Sequence, residues 1–319
     1  MQQPIDNANK PIIGISACVA GQEVRYNASH KRSKYCMDTL SAYFRYRPFC
    51  PEVAIGLPVP RPAIRIVERD NQLTLVETHE PKDDHAPAIE AYAAKVAAGM
   101  RDASGFIFMQ KSPTCGLGSA KVYGIKGGPL RSDDGLFVRA LRKHLPLLPI
   151  TEAGRLNDAK LREHFFAQVY AYHEWQTEIM PNLSVRQLTD FHYRYKMTLR
   201  AHDQVILRQL GKLLADPHNV SLEELAQRYI EDFMRALSKV IGVKHHAYAM
   251  TRMVHYMKRW MTTDERQYAD QLIEQYKQGS IPLVAPMSTL RFFMQKYQCA
   301  KRLAVWEPYP QELGLQNAI

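Results

Sequence analysis

From about residue 11 to residue 150, short apolar runs alternate with helical stretches, the pattern of an open α/β sheet. Residues 12–16, 106–109 and 145–150 read as strands. The alanine-rich stretch 86–100 and the stretch 136–143 carry helical composition and periodicity. Residues 64–67 and 73–76, split by polar turn residues, fit an added hairpin. Between residues 50 and 62 stand Pro51, Pro58, Pro60 and Pro62, which forbid a continuous helix and favour a rigid, extended backbone.

The pattern changes near residue 155. Ser184 with Gln187, Ser221 with Glu224 and Asp264 with Gln267 each place a capping side chain three residues before a Glu or Gln, and helical periodicity follows each. Gly279, just after Tyr276 and Lys277, fits a helix end. At least five helices packed on one another are expected between residues 158 and 298. The fold class is therefore an α/β open sheet domain over residues 1–154 joined to an all-α helical domain over 155–319.

Composition narrows the class. A chain of 319 residues that is 46% hydrophobic can bury a full core. Its polar start lacks a secretory apolar segment, and no run of about 18 uncharged apolar residues could span a bilayer. The expectation is a cytoplasmic protein with no membrane role. Five widely spaced cysteines without a Cys-x-x-Cys pair argue for reduced thiols over a disulfide framework. The net charge of +10 is shared by both halves, which suggests a polyanionic partner, with nucleic acid the leading candidate. A basic enzyme with no such partner carries the same charge.

The chemistry concentrates on three cysteines. Cys18, Cys50 and Cys115 each follow a short apolar segment. If those segments are neighbouring parallel strands, their carboxyl ends open onto one crevice and the thiols converge there. Three thiolates are one short of a closed site, and a three-thiolate iron-sulfur site leaves one iron free to act as a Lewis acid. Glu52, two residues after Cys50, and Ser112, three before Cys115, lie within a loop's reach of such a group. A carboxylate there could serve as acid or base and a hydroxyl could steady a developing anion. Alternatively, Glu52 caps a turn and Ser112 satisfies backbone before a proline. Cys36 and Cys299 read as small buried apolar side chains, either of which would be the fourth ligand in a closed cluster. The helical half has no His-Glu-x-x-His motif to support a zinc hydrolase.

Basic residues interleave with aromatics in the helical half, notably Arg194, Lys196 and Arg200, then Lys258 and Arg259 before Trp260. Such side chains can neutralise phosphates while aromatic faces stack on unpaired bases, although an amphipathic helix with a solvated face shows the same pattern. Arg25, Lys31 and Arg32 place positive charge close after the first cysteine. They could receive a phosphate of a target nucleotide or form an exposed loop with no ligand.

Three motifs stand in order: Ile13-Gly-Ile-Ser-Ala-Cys-Val-Ala-Gly with Val24-Arg-Tyr-Asn, then Cys50-Pro-Glu-Val-Ala-Ile-Gly-Leu-Pro-Val-Pro-Arg-Pro, then Lys111-Ser-Pro-Thr-Cys-Gly. Across roughly residues 10–155 they resemble the iron-sulfur thiouracil desulfidase family. His246, the run from Met253 to Trp260 and the run from Tyr276 to Pro286 look like the companion domain fused to that family in larger relatives. The resemblance implies a 4Fe-4S cluster held by Cys18, Cys50 and Cys115, with Glu52 and Ser112 as catalytic residues. It further implies a tRNA 4-thiouridine desulfidase that returns uridine and sulfide without net redox change. Its partner would be tRNA containing 4-thiouridine, engaged with help from the helical domain, with no obligate protein partner. A desulfidase for free thiouracil and a non-catalytic iron-sulfur RNA-binding sensor are the alternatives.

Overall fold

The computed structural model describes residues 9–80, 82–299 and 309–315. Strand β1 (Ile12–Ser16) runs into the single-turn helix α1 (Ala17–Ala20), and β2 (Arg45–Phe49) into the short helix α2 (Pro51–Ala54). There follow β3 (Ile64–Arg69), β4 (Gln72–Glu77), α3 (Ala86–Gly99), β5 (Ala103–Phe108), β6 (Ala120–Gly124), β7 (Pro129–Asp133), α4 (Leu136–His144) and β8 (Ile150–Glu152). The strands form two sheets, one in the order β2-β1-β5-β8 and one in the order β4-β3-β6-β7.

Every pairing in the first sheet is parallel. All six residues of β5 are buried, as expected of a parallel strand covered on both faces. Phe106 and Phe108 stack with ring centroids 4.1 Å apart, and Phe137 of α4 meets them edge-on at 6.1 and 6.2 Å. Phe106 leaves no room for a side chain on its neighbour in β1: a Cβ on Gly14 would stand 2.2 Å from the ring. Pro48, which cannot donate to a ladder, lies in the edge strand β2.

The second sheet contains the expected hairpin. Asp70 and Asn71 join β3 to β4 with φ of 49° and 61°, the left-handed pair that a tight hairpin turn requires. Strands β6 and β7 extend this hairpin into a separate sheet, which the apolar pattern did not announce. In β6 only Ala120 and Val122 are buried, and β7 is largely exposed. The expectation of a strand over 145–150 is corrected. Strand β8 starts at Ile150, because Pro146 and Pro149 have no N–H to pair, and the ladder begins where Phe106 N–H donates to the Pro149 carbonyl at 2.9 Å.

The chain divides into two units, at Asn157 and Asp158. Helices α5 (Ala159–Glu174), α6 (Val185–His202), α7 (Gln204–Ala215), α8 (Leu222–Leu237), α9 (Val243–Met257), α10 (Thr263–Lys277) and α11 (Val284–Lys296) form the second unit, so an α/β sheet domain precedes a helical one. Ser184 and Ser221 cap α6 and α8 through the backbone N–H of Gln187 and Glu224. For α10 the cap is Thr262, in a capping box with Glu265, in place of the expected Asp264 with Gln267. Trp175, Phe191, Tyr195, Tyr229 and Phe233 build an aromatic core, and Met250, Met253, Met257 and Met287 anchor a methionine-rich one. Among the described residues no helix is long and apolar enough to cross a membrane.

Candidate active site

Strands β1, β2 and β5 are adjacent and parallel, so their carboxyl ends share one edge of the sheet. Cys18 lies in α1 directly after β1, Cys50 caps α2 directly after β2, and Cys115 sits on a turn beyond β5. Two of the three thus belong to the starts of short helices and not to open loops. All three line one cavity of about 510 Å³, together with Glu52, Arg61, Ser112 and Thr114. Cys36 is fully buried and lies outside that lining, and Cys299 belongs to the helical unit.

The turn bearing Cys115 is tied down from several sides. Ser112 Oγ accepts the backbone N–H of Thr114 at 3.2 Å and of Cys115 at 3.1 Å. Where α4 begins, Leu136 and Phe137 donate their N–H groups to the carbonyls of Pro113 and Thr114, both at 3.0 Å. This approach requires glycine at 135, because a Cβ there would stand 2.5 Å from the Thr114 carbonyl.

Glu52 projects from the first turn of α2, which Pro51 starts. Its Oε2 accepts from Arg61 Nη2 at 2.7 Å and Nε at 3.1 Å, in a pair whose side chains are 2% (Arg61) and 14% (Glu52) exposed. Arg61 also donates to the carbonyls of Pro58 at 3.1 Å and Val24 at 2.9 Å, so its position is fixed independently of Glu52. Glu52 Oε1 accepts from Thr114 Oγ1 at 2.8 Å, and Thr114 Oγ1 lies 3.0 Å from Ser112 Oγ. A hydroxyl has one proton to donate. With Thr114 donating to Glu52, Ser112 donates to Thr114, and a directed chain runs Ser112 to Thr114 to Glu52.

Burial pushes the Cys18 thiol up to about 11, with the neighbouring Cys50 adding to the rise. Burial raises Cys50 as well. Cys115 is raised furthest, by burial, against the hydrogen bond of Ser16. Stable deprotonation of three such thiols needs a cation at the sulfurs, since coordination deprotonates a thiol outright. Among the described residues no three His, Cys, Asp or Glu side chains close around the position of a single metal ion.

Sequence reasoning brought Cys18, Cys50, Cys115, Glu52 and Ser112 to this place and missed Arg61 and Thr114. Both stand inside motifs already noted, Arg61 in Pro60-Arg-Pro and Thr114 beside Cys115, but only the fold shows that they meet Glu52. Arg25 and Lys31 line the cavity, while Arg32 pairs with the exposed Asp38, Nη1 to Oδ2 at 3.2 Å. In the helical unit Arg194 is engaged by Glu174 and Glu178. Lys196 and Arg200 are half-buried, and Lys258 and Arg259 are exposed, with Arg259 stacked 3.8 Å over the Trp260 ring.

Residues 13–153 match the family model described as 2-thiouracil desulfurase, so the α/β unit is similar to that family across the whole of the site. Residues 196–310 match a second family, described as a protein of unknown function, DUF1722. Among individual proteins, the uncharacterized protein YbgA of Escherichia coli (strain K12) is 26% identical over 166 residues, 51% of this chain and 98% of the relative. A solved structure, the 4Fe-4S-dependent thiouracil desulfidase TudS, is 28% identical and is matched over 48% of this chain and 97% of its own, with a TM-score of 0.39.

Proposed function

We infer that this chain is a 4Fe-4S-dependent desulfidase acting on 4-thiouridine in tRNA, with Cys18, Cys50 and Cys115 holding the cluster. The observation that carries the reading is the convergence of Cys18, Cys50 and Cys115 with Glu52 on one cavity. The match of residues 13–153 to the 2-thiouracil desulfurase family supports it. The donor set fits: three thiols lining one cavity suit a multi-atom cluster better than a single ion, and Cys36 lies outside that lining. When bound, a cluster with one iron lacking a protein ligand supplies a soft Lewis acid matched to a thiocarbonyl sulfur.

The residues of the chain handle the proton. Arg61 fixes Oε2 of Glu52, and Oε1 keeps a lone pair beyond the one used by Thr114. Glu52 takes a proton from the attacking water at Oε1 as the water oxygen bonds to the thiocarbonyl carbon. It then gives that proton to the sulfur and takes the remaining hydroxyl proton as the carbonyl forms. The carbon–sulfur bond breaks with hydrosulfide leaving, and the carboxyl proton passes to solvent. Carbonyl replaces thiocarbonyl and no electrons are gained or lost overall. Ser112 and Thr114 orient the carboxylate and shape the turn that presents Cys115.

Several features support RNA as the substrate: the net charge of +10, Arg25 and Lys31 at the cavity, and exposed Lys258 and Arg259 beside Trp260. A base in folded RNA must leave its stack to reach the cavity, at a cost of a few kcal/mol that protein contacts offset. A cytoplasmic setting, where thiols stay reduced, belongs to the same proposal. Free thiouracil is the second reading, favoured by the family description.

The test uses anaerobically reconstituted protein with 4-thiouridine tRNA and with free 4-thiouracil, following thione absorbance and released sulfide. Glu52→Gln is expected to keep the cluster spectrum and to lose roughly 10²-fold or more in turnover, the usual contribution of a positioned base. Normal turnover by Glu52→Gln would refute the mechanism. RNA binding without sulfide release would point instead to a sensor.

A further inference from the structure

One face of the second sheet carries a groove of about 680 Å³. Ile64, Lys111 and Pro113 line both this groove and the cysteine cavity, so the two adjoin at the turn that bears Ser112 and Cys115. Strand alternation and register put Arg65 of β3, Lys121 and Tyr123 of β6 and Ser132 of β7 on the same face. The lining holds three cations, Arg65, Lys111 and Lys121, with Ser, Thr and Tyr hydroxyls and no acidic residue. Glu68 and Asp133 lie on the opposite face of the sheet, paired with Arg131, and Glu152, which accepts from Ser119 of the lining, also accepts the Leu117 N–H and pairs with Arg155. Arg65 lies over the Tyr123 ring at 5.7 Å, and its Nε is shielded from solvent with no acceptor among the described residues.

Like charges gathered without a counter-charge favour an anion, and mixed guanidinium, ammonium and hydroxyl donors suit phosphate oxygens. We propose that this groove binds the phosphate groups of the substrate nucleotide whose base enters the cysteine cavity. Arg65 and Lys121 then select phosphate-bearing substrates over free bases. The proposal rests on the desulfidase reading for its substrate, but phosphate binding can be measured without turnover.

The first experiment titrates the purified protein calorimetrically with uridine and with uridine 5′-monophosphate across a salt series. The monophosphate should bind more tightly, and its advantage should shrink as salt rises. Lys121→Glu and Arg65→Gln should each remove roughly tenfold of that advantage, the worth of one charge-assisted hydrogen bond. Equal affinities for the two ligands, or an advantage that both variants retain, would overturn the proposal. The second experiment compares kcat/KM of the reconstituted protein for 4-thiouracil, 4-thiouridine 5′-monophosphate and a single-stranded oligoribonucleotide containing one 4-thiouridine. Both variants should lose roughly tenfold on the two phosphate-bearing substrates and keep their rate on the free base. A preference for the oligonucleotide over the monophosphate identifies the strand's phosphodiesters as the occupant, and the reverse identifies a terminal phosphate. Equal losses on all three substrates would assign the two residues to stability and sink the inference. Absence of turnover on every substrate by the unmodified protein would count against the desulfidase reading, and the calorimetric result would then judge the groove by itself.

Discussion

Thr114 links the two polar residues singled out beside the cysteines. Its hydroxyl stands between Ser112 Oγ at 3.0 Å and Glu52 Oε1 at 2.8 Å, so the carboxylate is oriented from one side by Thr114 and from the other by Arg61. Thr114→Val keeps the branched shape and deletes the hydroxyl. Turnover should fall roughly tenfold or more while iron and sulfide content stay at the level of the unmodified protein, since an oriented charge-assisted bond is worth about 1.5–3 kcal/mol. Unchanged turnover would show that Glu52 is positioned without the relay. Gly135 makes a second residue-scale case. A methyl group there would meet the Thr114 carbonyl at 2.5 Å, so Gly135→Ala should destabilise the fold by about 1–3 kcal/mol and impair cluster loading, read by thermal unfolding and iron content. At this scale Cys18, Cys50, Cys115, Glu52 and Ser112 could be read because each stands in a local motif. Arg61, nine residues beyond Glu52, could not, because its role depends on a chain reversal between Pro58 and Pro62.

Elements were legible where local chemistry decides them. The alanine-rich α3 and the caps Ser184 and Ser221 follow from propensity and from hydroxyl-to-amide bonding within three residues. The start of α10 shows how close alternatives compete: Thr262-x-x-Glu265 and Asp264-x-x-Gln267 have the same spacing, and the structure uses the first. Thr262→Ala should therefore cost about 1 kcal/mol in a denaturant titration, and Asp264→Ala only a few tenths. Equal costs would show that both sites cap. Strands β6 and β7 escaped notice because their solvent-facing residues dilute the alternation, and although they pair with each other across a short turn, β6 joins the sheet only through β3, far away in the chain. Pro146 and Pro149 shortened β8 because the ladder needs amide donors that proline lacks.

For the whole molecule, burial of ionisable groups in the helical unit sets how it responds to acid. Burial pushes His192 down to about 4, His202 to about 3 and His246 to about 4. In the unfolded chain these imidazoles titrate near 6.5. As pH falls from about 6.5 toward 4, the unfolded chain takes up protons that the folded chain does not, so stability is full above about pH 7 and is lost across that window. A displacement from about 6.5 to about 4 corresponds to roughly 3 kcal/mol per histidine. Urea midpoints followed by the helical signal should drop steadily between pH 7 and 4.5, and His202→Gln should flatten the profile. A midpoint independent of pH in that window would contradict this. The net charge of +10 was readable from composition, whereas the grouping of Arg65, Lys111 and Lys121 on one groove without an acid was not.

What the amino-acid sequence determined by itself was local and periodic: the α/β character of the first half, the helical character of the second, the caps Ser184 and Ser221, and the cysteine, carboxylate and hydroxyl motifs that line the candidate site. These depend on interactions between residues close in the chain. The tertiary structure alone decided which strand ends share an edge, that Glu52 lies between Arg61 and Thr114, and that a basic groove adjoins the cysteine cavity. Contacts of that kind join residues from nine positions apart, as in Arg61 with Glu52, to tens of positions, as in Thr114 with Glu52. Their geometry is set by how β1, β2 and β5 register in one sheet and by how closely Gly14 and Gly135 let neighbouring segments approach.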